Sequence, residues 1–279
     1  MASSSVAAAP EHLPFEFETD FLDMANASNL KAVPSKFNFI NEPTALTSDS
    51  LPVIDFSALT ADDPHRRSEA IHQLSKACQE WGFFILVNHG IPQELMNSCF
   101  TVLREFLSLP ASEKKQYEAK SASDPIMCGN FKVVNTSNQI FTLWRDYVKL
   151  QVHPDFHCPH KPQLLREVLL EYTEKIRKLA RKLVEAACDA LELERDYVHQ
   201  VLKLDSSYQI LVASTYPPCP EPDQAIGLPP HSDPGLFTFL IHNGVPGLQL
   251  KHNGQWFNAD SPQNSITVNA GDHLQICSV

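Results

Sequence analysis

The chain lacks any excess of positive charge, since its 279 residues hold 22 lysines and arginines against 33 aspartates and glutamates. A net charge of −11 repels phosphate backbones, so we expect no nucleic-acid partner. Long apolar runs are lacking too, because the run Phe83–Val87 falls far short of the roughly 18 residues of a membrane-spanning helix. The first ten residues have no basic flank and no apolar core, which is not the pattern of a secretory signal. We therefore expect a cytoplasmic protein that does not enter a membrane.

The seven cysteines include no Cys-x-x-Cys pair. This spacing argues against a thiolate zinc site and against a disulfide framework, so we expect reduced and mostly buried thiols. With 43% hydrophobic and 20% charged residues, the composition is that of a globular protein. The length suits one large domain or a helical module joined to a β module, and nothing in the sequence argues against a monomer.

The hydrophobic period changes along the chain. Apolar residues spaced three and four apart predict helices over 64–81, between Pro92 and Pro110, and over 163–193, with a short helix near 15–24. Alternating or short apolar runs predict strands at 51–56, 83–87, 210–216, 237–242, 247–250, 256–258, 265–269 and 273–277, and a strand or binding loop at 141–147. The switch after Leu204 predicts a helical N-terminal part followed by an antiparallel β-barrel or sandwich.

One short motif has the composition of a metal site. His231 and Asp233 are separated by a single residue, and in an extended segment residues two apart project to the same side. An imidazole and a carboxylate so placed can bind one metal ion, and a further histidine would complete the facial triad of non-haem Fe(II) enzymes, which leaves positions for cosubstrate and oxygen. Taken alone, the motif is weak, and a solvated turn is the alternative.

Several segments surround this motif in a fixed order. They are Leu51-Pro52-Val53-Ile54-Asp55-Phe56, Trp81-Gly82-Phe83-Phe84, Val87-Asn88-His89-Gly90-Ile91-Pro92, Tyr216-Pro217-Pro218-Cys219-Pro220, Leu228-Pro229-Pro230-His231-Ser232-Asp233, Gly247-Leu248-Gln249-Leu250, and Asn269 to Gly271 followed by Asp272-His273-Leu274-Gln275-Ile276. As an ordered set, which covers the chain from about Leu51 to its end, they resemble the plant 2-oxoglutarate- and Fe(II)-dependent dioxygenases.

The resemblance implies an α+β fold with a double-stranded β-helix (jelly-roll) core backed by helices and preceded by a helical N-terminal region. It divides the chain into an N-terminal arm over 1–50, an N-terminal dioxygenase region over 51–160, backing helices over 161–204 and the Fe(II)/2-oxoglutarate oxygenase domain over 205–279. The last strands of the barrel are expected to be missing from these residues.

The resemblance also implies a chemistry. Fe(II) is the expected cofactor, 2-oxoglutarate and O2 are the cosubstrates, and ascorbate is a stimulant. Decarboxylation of 2-oxoglutarate to succinate is coupled to hydroxylation, or a related oxidation, of a small organic metabolite. His231 and Asp233 match the first two iron ligands, and Tyr216 matches a tyrosine that holds 2-oxoglutarate. Ser214 stands where the family often has Asn, so we expect a weaker or water-mediated contact there.

The family's third ligand is a histidine that, with an Arg-x-Ser pair beyond it, we place about ten residues after Val279. Two ligands bind a metal less tightly than three, so turnover by these residues is doubtful. His242, His252, His273 and the His157–His160 pair are expected to be loop or strand-edge residues. The alternatives are a non-catalytic isoform or pseudoenzyme that keeps the fold as a binding module, and a structural β-sandwich with an accidental motif.

Four large apolar residues are candidates for a substrate pocket. They are Phe131, Phe141, Trp144 and Phe239. Such side chains suit an aromatic or polycyclic substrate, and packing in the core is the alternative for each.

Overall fold

A computed structural model describes residues 21–25, 30–39, 46–47, 50–121, 123–130, 132–134 and 140–277. Its helices are α1 (Phe21–Ala25), α2 (Phe56–Leu59), α3 (Pro64–Glu80), α4 (Gln93–Leu107), α5 (Ala111–Lys114), α6 (Leu165–Ala190), α7 (Tyr197–Val201) and α8 (Asp272–Cys277). Short 3₁₀ turns lie at Ser35–Phe37, Lys115–Tyr117 and Pro222–Gln224. No helix in these ranges is both long and apolar enough to cross a membrane.

The strands form four small sheets. They are β1 (Leu46–Thr47), β2 (Val53–Asp55), β3 (Phe83–Val87), β4 (Ile126–Gly129), β5 (Lys132–Val134), β6 (Ile140–Thr142), β7 (Asp146–His153), β8 (Gln209–Thr215), β9 (Phe237–Leu240), β10 (Gln249–His252), β11 (Gln255–Asn258) and β12 (Ile266–Ala270). Their orders are β2-β3-β12-β9, β4-β7-β8, β1-β11-β10 and β5-β6. β2 is parallel to β3 and β1 is parallel to β11, and every other pair is antiparallel.

The three predicted long helices are confirmed and form a layer behind the sheets. The longest, α6, is continuous, and its buried stripe follows spacings of three and four: Leu165, Leu169, Tyr172, Ile176, Leu179 and Leu183. α3 begins at Asp63, whose side chain accepts from the His65 N–H, and ends before Gly82, whose positive φ of 68° is easy only for glycine. The helices α3 and α4 both pack on α6, so the site-bearing sheets rest on a rigid support.

The core lies between this helical layer and the sheets. Phe84 and Leu86 of β3 and Val148 and Leu150 of β7 are fully buried and pack in one cluster with the stripe of α6. The opposite face of β7 is less covered, because Lys149 and Gln151 alternate with the buried residues. The sheet β4-β7-β8 therefore turns one face to the helices and the other away from the core.

A buried ion pair fixes the start of β7. Lys114 Nζ lies 3.0 Å from Asp146 Oδ2 and also donates to the Leu107 carbonyl at 2.8 Å. Both charged side chains are buried. Because a buried charge without its partner is costly, this pair ties α4 and α5 to β7 firmly.

The segment 30–39 covers one end of this framework. Phe37 is fully buried, and its ring centre lies 5.3 Å from that of Phe21 and 5.2 Å from that of Trp144. Val33 N–H donates to Glu221 Oε2 at 2.7 Å. The segment is therefore attached to the loop that follows the Tyr-Pro-Pro motif.

The structure differs from the sequence predictions in several places. Residues 273–277 are part of the helix α8 and not a strand, because the backbone turns sharply at Gly271, whose carbonyl accepts from the N–H groups of Leu274 and Gln275. The region 126–153 holds four strands, of which only a strand or loop at 141–147 was predicted. The short helix predicted near 15–24 corresponds to α1 from Phe21 onward, and 15–20 lie outside the described residues.

The cysteine prediction is confirmed for the side chains that the structure describes. All six are free, and four of them are buried: Cys99, Cys128, Cys158 and Cys188. Burial raises the pKa of the Cys78 and Cys158 thiols to about 11. These thiols are protonated at neutral pH and are poor nucleophiles.

Candidate metal and cosubstrate site

His231 and Asp233 lie in the loop between β8 and β9, and the structure brings their side chains together. His231 Nε2 is 3.5 Å from Asp233 Oδ1. The side chain of His231 is 51% exposed and that of Asp233 is 28% exposed, so the pair is open to solvent on one side. Two donor atoms each about 2.1 Å from one cation are separated by roughly 3.0 to 3.4 Å, which is close to this spacing.

The hydrogen bond of His231 Nδ1 sets the tautomer of the neutral ring. Nδ1 lies 2.9 Å from the Pro229 carbonyl oxygen, which can only accept a hydrogen bond. In the neutral ring Nδ1 therefore carries the proton, and Nε2 turns its lone pair toward Asp233. A backbone carbonyl behind an imidazole is the usual arrangement around a metal-binding histidine.

The carboxylate of Asp233 accepts two hydrogen bonds at one of its oxygens. Its Oδ2 accepts from Thr238 Oγ1 at 2.6 Å and from Asn269 Nδ2 at 3.0 Å. Oδ1 is the oxygen that faces His231. An imidazole lone pair and a carboxylate oxygen repel each other unless a proton or a cation lies between them, so the arrangement fits a shared divalent cation.

The backbone of this loop is clamped by the start of α8. Asp272 N–H donates to the Asp233 carbonyl at 2.8 Å, and Gly271 N–H donates to the Leu236 carbonyl at 2.9 Å. Asp272 Oδ2 also accepts from Ser232 Oγ at 3.2 Å. A Cβ on Gly271 would lie 2.1 Å from the Gly235 carbonyl oxygen, so only glycine permits this approach.

Within the part of the chain that the structure describes, no group of three His, Cys, Asp or Glu side chains is arranged to hold a metal ion. Two of the other histidines that were considered as metal ligands from the sequence have local partners. His242 Nε2 lies 2.7 Å from Ser261 Oγ, and His252 stacks on Trp81 with ring centroids 4.1 Å apart. The described donor set is therefore His231 and Asp233, and the third ligand expected beyond Val279 stays a prediction.

Tyr216 and Ser214, the residues expected near the cosubstrate, lie at the end of β8. Tyr216 is 53% exposed, and its ring lies against Gly227, where an added Cβ would be 2.6 Å from the ring carbons. Ser214 is paired with Tyr147 across the ladder between β7 and β8. The ring of Tyr216 is thus set beside the segment that leads to His231.

A basic residue that the sequence analysis missed lies next to Ser214. Arg145 Nη1 is 3.5 Å from Ser214 Oγ, and its guanidinium carbon is 5.2 Å from the ring centre of Tyr147. Burial raises the pKa of Tyr147 to about 12, so its phenol stays protonated. The nearby positive charge lowers that pKa and opposes part of the shift. The sequence feature that could have identified Arg145 is its position between Trp144 and the alternating residues of β7.

Three of the four candidate pocket residues lie in the part of the chain that the structure describes. Trp144 is 3% exposed, lies edge-on to Phe21 and Phe37, and donates from Nε1 to the Pro217 carbonyl at 3.0 Å. Phe141 is also buried and packs on Phe39. Trp144 and Phe141 are therefore buried among aromatic side chains, and a role of either in a substrate pocket stays a prediction. Phe239 is half-buried on β9, and Phe131 lies outside the described residues.

Comparisons with known proteins decide the family. The sequence profile described as non-haem dioxygenase in morphine synthesis N-terminal matches residues 51–169, and that of the 2OG-Fe(II) oxygenase superfamily matches residues 207–279. The chain is 42% identical to 2-oxoglutarate-dependent dioxygenase 19 of Oryza sativa subsp. japonica, over 84% of this chain and 69% of that protein. It belongs to the 2OG-Fe(II) oxygenase superfamily.

Further members of the superfamily support this placement. A leucoanthocyanidin dioxygenase of Perilla frutescens is 31% identical over 86% of this chain and 68% of its own length. The crystal structure of JOX2 in complex with 2OG, Fe and JA superposes with a TM-score of 0.77 at 30% identity, and the match covers 92% of this chain and 74% of that one.

These findings confirm the predicted family, the double-stranded β-helix fold and the enzyme class. The chain is an oxidoreductase of the 2-oxoglutarate-dependent dioxygenase type, and the family's cofactors are Fe(II), 2-oxoglutarate and O2. The findings favour this function over a non-catalytic binding module. The role of ascorbate stays a prediction.

Proposed function

We propose that His231 and Asp233 bind the Fe(II) of this oxygenase, and that the adjacent end of β8 binds 2-oxoglutarate. The observation that carries the proposal is the 3.5 Å distance between His231 Nε2 and Asp233 Oδ1. The other polar atom of each side chain, His231 Nδ1 and Asp233 Oδ2, is already hydrogen-bonded to the protein. Imidazole and carboxylate are the donor types of non-haem Fe(II) sites. When bound, the iron supplies the oxidising chemistry that couples 2-oxoglutarate decarboxylation to substrate oxidation.

The protein's own residues prepare this chemistry. The Pro229 carbonyl keeps the His231 proton on Nδ1, so Nε2 is free to bind a cation. The clamp between Asp272 N–H and the Asp233 carbonyl holds the loop before any ligand arrives. A donor set fixed in advance loses little conformational entropy on binding, which strengthens metal affinity.

The end of β8 suits a dicarboxylate. Ser214 and Tyr216 carry neutral hydroxyl donors at this end of the strand, and Tyr147 faces Ser214 across the ladder between β7 and β8. The guanidinium of Arg145 adds positive charge near Ser214. Such donors favour binding of 2-oxoglutarate, which is an anion with a carboxylate at each end.

We propose an aromatic or polycyclic metabolite as substrate. The face of β8 that carries Ser214 also presents Ile210 and Val212, which are 50% and 55% exposed, and Phe239 is half-buried on β9. Apolar walls with a few polar groups are typical of small-molecule sites. One relative is named leucoanthocyanidin dioxygenase. We further propose that the enzyme acts as a cytoplasmic monomer.

The test is Fe(II)-dependent formation of succinate from 2-oxoglutarate by the full chain. We expect His231→Ala to abolish it, because one of two described ligands is lost. His160→Ala is the matched control: this exposed histidine belongs to the other histidine pair, and its replacement should leave succinate formation unchanged. Succinate formation that persists in His231→Ala, or that needs no Fe(II), would overturn the assignment.

A further inference from the structure

The carboxylate of Asp233 is held at one oxygen only. Thr238 Oγ1 and Asn269 Nδ2 both donate to Oδ2, at 2.6 Å and 3.0 Å. Thr238 and Asn269 face each other directly in the register between β9 and β12. The two donors therefore come from one cross-strand pair, whose spacing is set by the sheet and not by a flexible loop.

Two bonds to one oxygen have a geometric consequence. They fix the rotation of the carboxylate group and occupy both lone-pair directions of Oδ2. Oδ1, the oxygen nearer His231 Nε2, keeps its lone pairs available. Both donors are uncharged, so they orient the carboxylate without competing with a cation for its charge. A cation at this site meets one oxygen of Asp233.

We infer that Thr238 and Asn269 are positioning residues, which turn Asp233 so that it binds a divalent cation through Oδ1 alone. The inference rests on the proposed function, because it needs Asp233 to be a metal ligand. Partners of this kind behind metal ligands change metal affinity by about 10- to 100-fold when they are replaced. Neither residue was assigned a role by the sequence analysis.

A pair of substitutions at Thr238 separates hydrogen bonding from packing. Thr238→Val keeps the shape and removes the hydroxyl, whereas Thr238→Ser keeps the hydroxyl and removes a methyl group. The probe is Co(II), titrated into the full chain under anaerobic conditions and followed by its visible absorption. We expect Kd to rise about 10-fold or more for Thr238→Val. Thr238→Ser should stay within about threefold of the unsubstituted chain. The reverse order, with Val retained and Ser impaired, would overturn the inference.

The partner strand provides a second substitution and its control. Asn269→Leu removes the amide donor, so we expect about the same loss of Co(II) affinity as for Thr238→Val. Thr267→Val makes the same Thr-to-Val change at a buried position of β12, opposite Leu240. It should change Kd by less than about twofold. Thermal unfolding of each variant shows that it is folded, and equal losses in Thr267→Val and Thr238→Val would contradict a specific role.

Asp233→Ala distinguishes failure of this inference from failure of the proposed function. If the unsubstituted chain binds Co(II) no more tightly than Asp233→Ala does, Asp233 is not a ligand and both proposals fail. If Asp233→Ala loses binding while Thr238→Val and Asn269→Leu retain it, the metal site stands and only the positioning role is overturned.

Discussion

At the scale of single residues, the conformation of the loop that carries His231 and Asp233 depends on a glycine, Gly271. Gly271 approaches the Gly235 and Asp233 carbonyl oxygens so closely that an added Cβ would lie 2.1 Å and 2.8 Å from them. Both are backbone atoms, which cannot move aside as a flexible side chain does. The geometry of the candidate site is thus set partly by a residue that has no side chain with which to bind a metal.

We predict that Gly271→Ala lowers the free energy of unfolding by about 1–3 kcal/mol, as overpacking does, and weakens Co(II) binding because the loop must shift. Chemical denaturation and the Co(II) titration measure the two effects. Gly247→Ala is the control, since nothing lies within 4 Å of its added Cβ. Equal behaviour of the two variants would show that the close approach does not matter.

A second residue-scale prediction concerns pH. Burial lowers the pKa of His89 below its ordinary value of 6.5, and the bond from its ring to the Asn264 carbonyl raises it in part. Its Nδ1 accepts from Ile91 N–H at 3.1 Å, a bond that protonation would break. Below about pH 6.5 the unfolded chain therefore binds more protons than the folded chain at this residue, and stability falls as the pH decreases toward the folded pKa.

Between pH 6.5 and 5, we expect the free energy of unfolding to fall less steeply with decreasing pH in His89→Asn than in the unsubstituted chain. Denaturant unfolding at each pH measures this slope. His65→Asn, at an exposed position, should keep the original slope. If the His89 and His65 variants have the same slope, His89 does not contribute to this dependence.

The sequence pointed to the candidate ligands more readily than to the residues that hydrogen-bond to them. His231 and Asp233 follow from the spacing of the motif and its neighbours, because both lie in one short segment. Thr238 and Asn269 meet only through the register of β9 against β12, a long-range pairing that no local pattern specifies. Their role therefore required the structure.

At the scale of elements, periodicity predicted the three long helices and most strands of the second half, and it missed β4 and β5. β4, β5 and β6 hold three or four residues each and lie in a stretch, 121–162, that has no clean hydrophobic period. In β7 the buried Val148, Leu150 and Val152 do alternate, so this strand was predictable beyond Tyr147. α8 was wrongly predicted as a strand because its turn depends on contacts with the loop at Asp233.

The segment 30–39 is an element whose attachment is testable. Val33 N–H relies on Glu221 Oε2, and hydrogen bonds to charged groups contribute about 1.5–3 kcal/mol. We predict that Glu221→Ala speeds amide hydrogen exchange at Val33 by roughly tenfold or more, since 1.4 kcal/mol is a factor of ten. Asp223→Ala, an exposed acid in the same 3₁₀ turn, should leave that exchange unchanged. Unchanged exchange in Glu221→Ala would show that the bond does not hold the segment.

At the scale of the whole molecule, the helical layer, the buried pair Lys114–Asp146 and the sheets hold the motif loop and the end of β8 on one framework. The family to which the chain belongs uses Fe(II) and 2-oxoglutarate. On this framework, we propose, His231 and Asp233 bind the iron.

The most direct test is an anaerobic titration of the full chain with Fe(II) and 2-oxoglutarate, followed by the visible absorption band that appears when the keto acid chelates ferrous iron. We expect a band that saturates with 2-oxoglutarate and is lost in Asp233→Ala. A band of equal strength in Asp233→Ala, or no band in the unsubstituted chain, would contradict it.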